Sequence, residues 1–300
     1  MTSRIAVSTL AIFTILVSPA AAQVENWTPV TDAVLQDPPA EDWLNWRRTL
    51  NGQAHSPLDE ITTDNVGDLR LEWSWALRPG PQQTTPLVRD GVMFVANPGE
   101  IVHALDAVTG ELIWEYERGA EAPGSSFGGP PAGRMTRNIA MWEDKIYLNT
   151  ADAHIVAIDA RTGEEVWDSD INQDVGYQFS SGSIIADGRV VAGLTGCGRY
   201  REESCFIVGL DAATGEELWR TSTVALPGQR GGDTWGDLAP IYRGGTGMWL
   251  TGSYDPDLNL VYWATSQAKP WARVSRGTDG DALFSNTTLA FRPETGEMVW

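Results

Sequence analysis

The two cysteines of the chain, Cys197 and Cys205, are its first candidates for chemistry, because they flank the short polar segment 198–204. Two thiols placed in this way form a disulfide in an oxidising compartment, whereas thiol-based metal sites normally include further Cys or His ligands. No histidine neighbours either cysteine. We therefore expect a structural disulfide that closes this loop, and metal ligation by the two thiols is the weaker alternative.

Two carboxylates, Asp233 and Asp237, lie on either side of Trp235 in a glycine-rich segment. Carboxylates are candidate general bases, but aspartates in such segments are more commonly explained by capping or turn roles. We favour the turn roles and assign no catalytic residue here. The sequence also lacks a Cys-x-x-Cys-His motif, so no c-type haem is encoded in these 300 residues.

The compartment of the protein is indicated by its first 22 residues. One positive side chain, Arg4, precedes an uncharged apolar run over 5–17, and small residues follow at 18–22. These are the three parts of a secretory signal peptide. The apolar run is too short to span a bilayer comfortably, so a membrane anchor is the weaker interpretation. We expect cleavage before Gln23 and no membrane insertion, with 23–40 as an N-terminal extension.

The charge balance limits the partners that the protein can have. Lys and Arg number 21 against 40 Asp and Glu, which gives a formal net charge of −19. An acidic surface repels nucleic-acid phosphates and anionic lipid head groups. The composition therefore argues against a protein that binds nucleic acid or a membrane surface.

Four copies of one hairpin pattern supply the framework that must position any functional residue. Each copy reads Asp-Ala-x-Thr-Gly-Glu-x-x-Trp or a close variant, and the copies end segments 103–114, 156–167, 208–219 and 289–300. Their final tryptophans are 53, 52 and 81 residues apart. An apolar run precedes each polar turn, Thr-Gly supplies the backbone freedom of the turn, and a second strand ends on tryptophan. The pattern predicts a repeated β-hairpin.

Further strand-like runs precede several of the hairpins, at 92–96, 145–148, 183–185 and 190–192. Four strands in about fifty residues make one propeller blade, and radial repetition of blades protects the sheet edges. We therefore predict an all-β fold, a β-propeller of four-stranded blades in which each tryptophan wedges between neighbouring blades. The long insertion before the fourth copy favours a partial propeller over a closed ring of four blades.

The repeats, together with segments 43–48, 56–69 and 253–263, resemble the pyrroloquinoline quinone (PQQ) dependent alcohol dehydrogenases of the methanol and ethanol type. The resemblance covers residues 40–300. It implies an eight-bladed propeller that holds PQQ on its axis, with Ca²⁺ or a lanthanide ion beside the quinone. Members of the family are much longer than this chain, so the resemblance implies that 41–300 is about half of such a propeller, the N-terminal half.

A site for PQQ needs an aromatic floor, partners for the cofactor's oxygens and shielding from water. In the family, the floor is a tryptophan that stands at a set distance before a metal-binding amide, and Trp249 and Gln267 have that separation of 18 residues. The resemblance therefore implies that Trp249 is the floor and that Gln267 is a metal ligand. The alternative is that Trp249 is another docking tryptophan, but no Thr-Gly-Glu turn precedes it.

Five further residues match positions that contact the cofactor in the family. The resemblance implies that Arg137 donates to a PQQ carbonyl, since a guanidinium fork suits that planar acceptor, and that Gln83 faces a PQQ oxygen. Ser180 and Thr195 match hydroxyl positions that contact the cofactor carboxylates, and Gly196 lets the backbone approach closely. A surface arginine and ordinary turn hydroxyls are the alternatives.

Two departures from the family pattern concern the roof of the site and its metal. Many relatives have adjacent cysteines that form a disulfide over the quinone, and Pro131 and Ala132 occupy those places here. The family's metal-binding glutamate aligns with Gly198. Glu202 or Glu203 could supply a carboxylate, since hard cations favour carboxylate and amide oxygens, but a solvated loop is an equal alternative.

The function that the resemblance implies is oxidation of an alcohol by hydride transfer to the quinone in the periplasm, with the electrons passed to a cytochrome c. The family's catalytic aspartate belongs to a segment beyond the hairpin of Trp300, so we assign no catalytic base and expect the 300-residue chain to be inactive by itself. The alternative from another class is a non-catalytic propeller scaffold in cell-envelope assembly. Such scaffolds are often lipoproteins with a cysteine at the cleavage point, which 20–23 lack.

Overall fold

Antiparallel sheets make up most of the regular structure. The computed structural model describes residues 23–119, 137–171, 177–198 and 205–300, and the predicted signal peptide lies outside them. The described residues contain three sheets of four strands, one of three strands and one of two. Within each four-stranded sheet, strands that are consecutive in the chain are neighbours in space. The predicted all-β fold with four-stranded blades is confirmed.

The first three sheets each contain four strands. Their bounds are β1 Leu87–Arg89, β2 Val92–Asn97, β3 Ile101–Asp106, β4 Leu112–Glu117, β5 Ala140–Trp142, β6 Lys145–Asn149, β7 His154–Asp159, β8 Glu165–Asp170, β9 Ile184–Ala186, β10 Arg189–Gly193, β11 Phe206–Asp211 and β12 Glu217–Ser222. The remaining strands are β13 Gly244–Gly245, β14 Ser253–Asp255, β15 Leu260–Ala264, β16 Ala268–Lys269 and β17 Thr288–Phe291.

Helices in the described residues are short. The α-helices there are α1 Asp32–Gln36 and α2 Arg273–Arg276, and the 3₁₀ helices are Val66–Asp68, Gly232–Trp235 and Pro240–Tyr242. None of the helices in the described part of the chain has the length and apolar character that crossing a membrane requires.

The turn between the third and fourth strands of a sheet is built by its aspartate. Asp106 Oδ1 accepts hydrogen bonds from the N–H groups of Val108 and Thr109 at 2.9 and 2.7 Å. The N–H group of Gly110 donates to the Asp106 carbonyl at 2.8 Å. The hydrogen bond from the Thr109 backbone holds the pKa of Asp106 below its usual value. The same side-chain bonds form in the next two sheets, at Asp159 and Asp211.

Indole rings join successive sheets by packing against the turn glycine of the next sheet, in the pairs Trp114–Gly163, Trp167–Gly215 and Trp219–Gly296. Trp73, which precedes the first sheet and lies in no strand, packs against Gly110 in the same way. All four glycines have a positive φ, and a Cβ atom on any of them would overlap the indole. The predicted wedging of the hairpin tryptophans between blades is confirmed for Trp114, Trp167 and Trp219. Trp73 escaped the sequence analysis because it precedes the first hairpin.

Hydrogen bonds add direction to this packing. Three of the indole N–H groups donate to backbone carbonyls of the next sheet, in the pairs Trp73–Ala107 at 3.2 Å, Trp114–Ala160 at 3.1 Å and Trp219–Pro293 at 2.7 Å. Trp167 Nε1 is buried without a partner, and Ser169 Oγ instead donates to the Gly215 carbonyl at 2.6 Å. Each junction between sheets therefore combines an aromatic contact with a hydrogen bond.

Residues 24–50 tie the first strands of several sheets together. The contacts are backbone pairing of Val30 with Glu143 and of Trp43 with Val88, and a hydrogen bond of 3.3 Å from Trp46 Nε1 to the Gly252 carbonyl. A buried ion pair between Arg89 and Asp42 adds a further tie to the first sheet. The segment thus links the first, second and fourth sheets near their first strands. The sequence had indicated 23–40 only as an extension.

The fourth hairpin differs from the predicted four-stranded blade. Strands β14, β15 and β17 form a sheet of three. The returning chain pairs with β17 through a bridge between Phe291 and Met298 and through two backbone hydrogen bonds of 2.8 Å at Ala290, but it is not a fourth strand. Arg292 replaces the turn aspartate, so the turn keeps the backbone bond from Gly296 to Arg292 at 2.8 Å without the carboxylate acceptor. The loss of that acceptor is the local difference from the other three copies.

The indole–glycine contact can be tested by adding one methyl group. Gly163→Ala would place a Cβ atom 2.8 Å from the Trp114 ring, whereas Gly91→Ala, also at positive φ, meets nothing within 4 Å. Both variants carry the strain of alanine at positive φ, so the difference between them isolates the collision. We expect Gly163→Ala to lower the free energy of unfolding by about 1–3 kcal/mol more than Gly91→Ala, measured by chemical denaturation. Equal losses would contradict the docking role.

Candidate functional site

Four of the predicted cofactor residues occupy equivalent places in four different sheets. Gln83 and Ser180 stand four residues before β1 and β9, Arg137 stands three before β5, and Trp249 stands four before β14. Each of these strands is the first of its sheet. The four side chains therefore belong to the same end of their sheets, although they are far apart in sequence.

The other predicted residues reach the same end from the second strands. Thr195 and Gly196 follow the end of β10 by two and three residues, and Gln267 follows β15 by three. Because β10 is antiparallel to β9 and β15 to β14, the end of each second strand lies beside the start of the first. The meander thus places both groups of residues at one end of the sheets.

Trp249, Arg137 and Ser180 are in direct contact. The Arg137 guanidinium carbon lies 5.2 Å from the centroid of the Trp249 ring, within the range of a cation–π contact. Arg137 Nη1 donates to the Ser180 carbonyl at 2.8 Å. Trp249 is 48% exposed, and it is not packed on a turn glycine as the docking tryptophans are. The arrangement presents an accessible aromatic ring beside a cation.

One donor of the Arg137 guanidinium is not used in a hydrogen bond with the described residues. Its Nε atom is buried and has no hydrogen-bond partner among the residues that the structure describes, and burial lowers the pKa of its guanidinium. Buried donors are almost always paired in proteins, so an unpaired one beside an exposed ring is a place for an external acceptor. A planar group with carbonyl or carboxylate oxygens would satisfy both features.

Thr195 and Gly196 lie beside the segment that leads to Trp249. The Met248 N–H group donates to the Leu194 carbonyl at 2.8 Å, and the Gly245 N–H group donates to the Cys197 carbonyl at 3.2 Å. Thr195 Oγ1 donates to the Gln178 carbonyl at 3.0 Å. The loop after β10 is therefore bonded along its length to the approach to β14.

The predicted disulfide between Cys197 and Cys205 is confirmed. Both residues are buried, and their Cα atoms are 5.3 Å apart. Cys197 follows Gly196 directly, and Cys205 precedes β11. The bridge closes the loop next to the proposed contact residues and holds its two ends against the third sheet.

Two predicted residues stand outside this cluster of contacts. Gln83 is exposed, and no hydrogen bond in the described part of the chain joins it to the Arg137–Ser180 pair. Gln267 is also exposed, and its backbone carbonyl accepts from the Thr246 N–H group at 3.4 Å. The structure places both at the expected end of their sheets without bringing them into the Trp249 contact.

The described side chains supply few ligands for the metal ion that the resemblance implies. Within the ranges that the structure describes, no three His, Cys, Asp or Glu residues are grouped as metal ligands. Gly198 is exposed and has open space at its Cα. Four residues named above, Pro131, Ala132, Glu202 and Glu203, lie outside the described residues. The described side chains alone therefore do not form a metal site.

The glycine-rich segment around Trp235 makes contacts that stabilise the fold. Trp235 is fully buried and donates through Nε1 to the Leu283 carbonyl. Asp233 lies in the 3₁₀ turn Gly232–Trp235, and its side chain and that of Asp237 are exposed. This placement agrees with the turn interpretation of the two aspartates.

The sequence analysis missed two polar residues that hold the cluster together. Asn138 follows Arg137, and Thr251 lies two residues after Trp249. Both are buried, and Asn138 Nδ2 donates to Thr251 Oγ1 at 2.9 Å. No motif marks them, and the signal that could have found them is only their nearness in sequence to the residues that the resemblance selected.

Comparison with known proteins gives consistent matches. The family profile described as PQQ, glucose/ethanol/alcohol dehydrogenase, beta-propeller domain, matches residues 43–300. The dehydrogenase subunit of the quinone alcohol dehydrogenase of Gluconacetobacter polyoxogenes is 33% identical over 282 residues, which are 86% of this chain and 38% of that protein.

Solved structures agree with the sequence matches. The quinohemoprotein alcohol dehydrogenase ADHIIG from Pseudomonas putida HK5 aligns with a TM-score of 0.81 at 33% identity, over 91% of this chain and 42% of that one. A europium-containing methanol dehydrogenase aligns with a TM-score of 0.78 at 25% identity, over 89% and 49% of the two chains. The chain thus spans less than half the length of these relatives.

The disulfide can be tested through the stability of the protein. Replacing both cysteines, Cys197→Ser with Cys205→Ser, frees a short loop in the unfolded chain, and we expect the free energy of unfolding to fall by about 2–3 kcal/mol. Denaturation with and without a reductant measures this loss. The reductant should lower the stability of the wild type by the same amount and leave the double variant unchanged. A wild type insensitive to the reductant would contradict a stabilising role for the bridge.

Proposed function

The chain belongs to the family of PQQ-dependent alcohol dehydrogenases, and on that basis we propose that it forms part of the cofactor site of an enzyme that oxidises alcohols. The observation that carries the proposal is the accessible Trp249 ring with the Arg137 guanidinium 5.2 Å from its centroid. Because the chain spans 38% of the length of its relative from Gluconacetobacter polyoxogenes, the activity is proposed for the whole protein.

The described residues fit a planar, anionic cofactor. Trp249 offers a ring face for stacking, and the unpaired Nε of Arg137 offers a donor that is already desolvated. The hydroxyl groups of Ser180 and Thr195, together with the backbone at Gly196, stand at the same end of the sheets. We propose these five residues as cofactor contacts, with Gln83 as a sixth.

The chemistry divides between the cofactor and the protein. When bound, PQQ would supply the two-electron acceptor for a hydride from the alcohol carbon. Trp249 would hold the plane of the ring system and exclude water from one face. Arg137 would place a fixed positive charge beside the ring oxygens, where negative charge develops during reduction. We assign no catalytic base to the described residues.

We propose one residue as a metal ligand. We retain Gln267 as a proposed ligand for Ca²⁺ or a lanthanide ion, since amide oxygens suit hard cations. The remaining ligands are not present as a group among the described side chains, so we derive no step through the metal. The europium belongs to the methanol dehydrogenase that this chain is similar to.

We base the proposed location and the proposed electron acceptor on the sequence. The signal-peptide pattern of 1–22 supports export to the periplasm. The formal net charge of −19 supports a basic redox partner, which we propose to be a cytochrome c. The alternative of a non-catalytic scaffold has no observation in its favour beyond the propeller fold itself.

Stacking on Trp249 can be tested by binding of PQQ to the intact protein. Trp249→Leu removes the aromatic face, and we expect the dissociation constant for PQQ to rise about 10- to 100-fold. Equilibrium dialysis read by PQQ absorbance measures it without relying on tryptophan fluorescence. Trp271→Leu, at another exposed indole that is 69% accessible, is the matched control and should bind as the wild type does. A wild type without affinity for PQQ would favour the scaffold.

The charge argument makes a separate prediction about the electron acceptor. We expect the second-order rate of reduction of a basic cytochrome c to fall about tenfold as ionic strength rises from low salt to about 0.15 M, because salt screens the attraction. Stopped-flow measurement with the reduced intact protein gives this rate. An acidic cytochrome serves as the control, and its rate should rise or stay constant. Equal salt dependence for both partners would argue against steering by the acidic surface.

A further inference from the structure

One buried hydroxyl joins three segments that carry proposed cofactor contacts. Thr251 Oγ1 accepts a hydrogen bond from Asn138 Nδ2 at 2.9 Å and another from the Gly182 N–H group at 3.1 Å. Thr251 and Asn138 are both buried. The three residues precede the first strands of the fourth, second and third sheets, β14, β5 and β9. A single oxygen atom therefore connects three sheets.

Each of the bonded residues is adjacent to a proposed contact. Asn138 follows Arg137, Gly182 is two residues after Ser180, and Thr251 is two residues after Trp249. A shift of any one segment must therefore stretch a bond to the hydroxyl. The three contact residues themselves are joined by the Arg137–Trp249 ring contact and the bond from Arg137 to the Ser180 carbonyl.

The backbones at this junction are in direct contact. A Cβ atom on Gly182 would collide with the carbonyl oxygen of Asn138, so the second and third sheets approach without a side chain between them. On the opposite side, Trp46 Nε1 donates to the carbonyl of Gly252, the residue after Thr251. The hydroxyl is thus held in a closely packed site with little freedom to move.

We propose that Thr251 is a positioning residue that sets the orientation of Trp249 relative to Arg137 and Ser180. The inference rests on the proposed function, since it concerns the same cofactor site. A valine at 251 keeps the volume and removes the acceptor, which leaves the Asn138 amide and the Gly182 N–H group buried without this partner. A serine keeps the acceptor and removes only a methyl group.

The experiment measures PQQ binding by the intact protein with Thr251→Val and Thr251→Ser. We expect Thr251→Val to raise the dissociation constant for PQQ about tenfold and Thr251→Ser to stay within about twofold of the wild type. Thr221→Val is the matched control. Its hydroxyl also joins two sheets, by donating to the Gly296 carbonyl at 2.7 Å, but it lies on the outer strand β12. It should affect stability without changing PQQ affinity.

A variant of Asn138, the donor to Thr251, keeps the proposal testable if Thr251→Val misfolds. If Thr251→Val does not fold, Asn138→Ala carries the same prediction, and where both fold the double variant should lose less affinity than the sum of the single losses. Wild-type affinity for PQQ in Thr251→Val, or equal weakening in Thr221→Val, would overturn the positioning role while leaving the proposed function intact. A wild type that does not bind PQQ would instead overturn the proposed function.

Discussion

The contact between an indole ring and a turn glycine is the interaction on which the arrangement of the sheets depends. The Trp114 ring lies where a Cβ atom on Gly163 would be. Because the contact leaves no room for a methyl group, it fixes the distance between the two sheets closely. The hydrogen bond from the same indole to the Ala160 carbonyl also fixes its direction. Because successive sheets are joined in the same way, the starts of their first strands lie at a common end.

That common end is where polar groups replace apolar packing. Thr251 and Asn138 satisfy each other, and the Arg137 guanidinium is bonded to the Ser180 carbonyl. Arg137 Nε, by contrast, is buried and has no hydrogen-bond partner among the described residues. Leaving a buried donor unpaired costs about 1–3 kcal/mol, and a ligand that pairs it recovers this cost on binding. The same bonds that hold the sheets together therefore also prepare a site for an acceptor.

The loop after β10 departs from the family pattern at the position of the metal-binding glutamate. Gly198 stands where the resemblance implies a metal-binding carboxylate, and the neighbouring Cys197 is instead in a disulfide with Cys205. The bridge joins the two ends of this loop. Arg137 and Trp249, which we propose as the cation and the stacking residue, precede strands of other sheets.

The sequence by itself determined the repeated hairpins, the all-β class and the disulfide, because these depend on local patterns: turn glycines, the spacing of Trp114 and Trp167, and two cysteines at short range. It selected Trp249 and Arg137 only through resemblance to a family. Only the tertiary structure decided that these two are in contact, that Gln83 stays apart from them, and that Trp73 packs on the turn of the first sheet. The bond between Asn138 and Thr251 joins residues 113 apart in the chain, and no periodicity or motif encodes such a contact, since it exists only when the sheets are assembled.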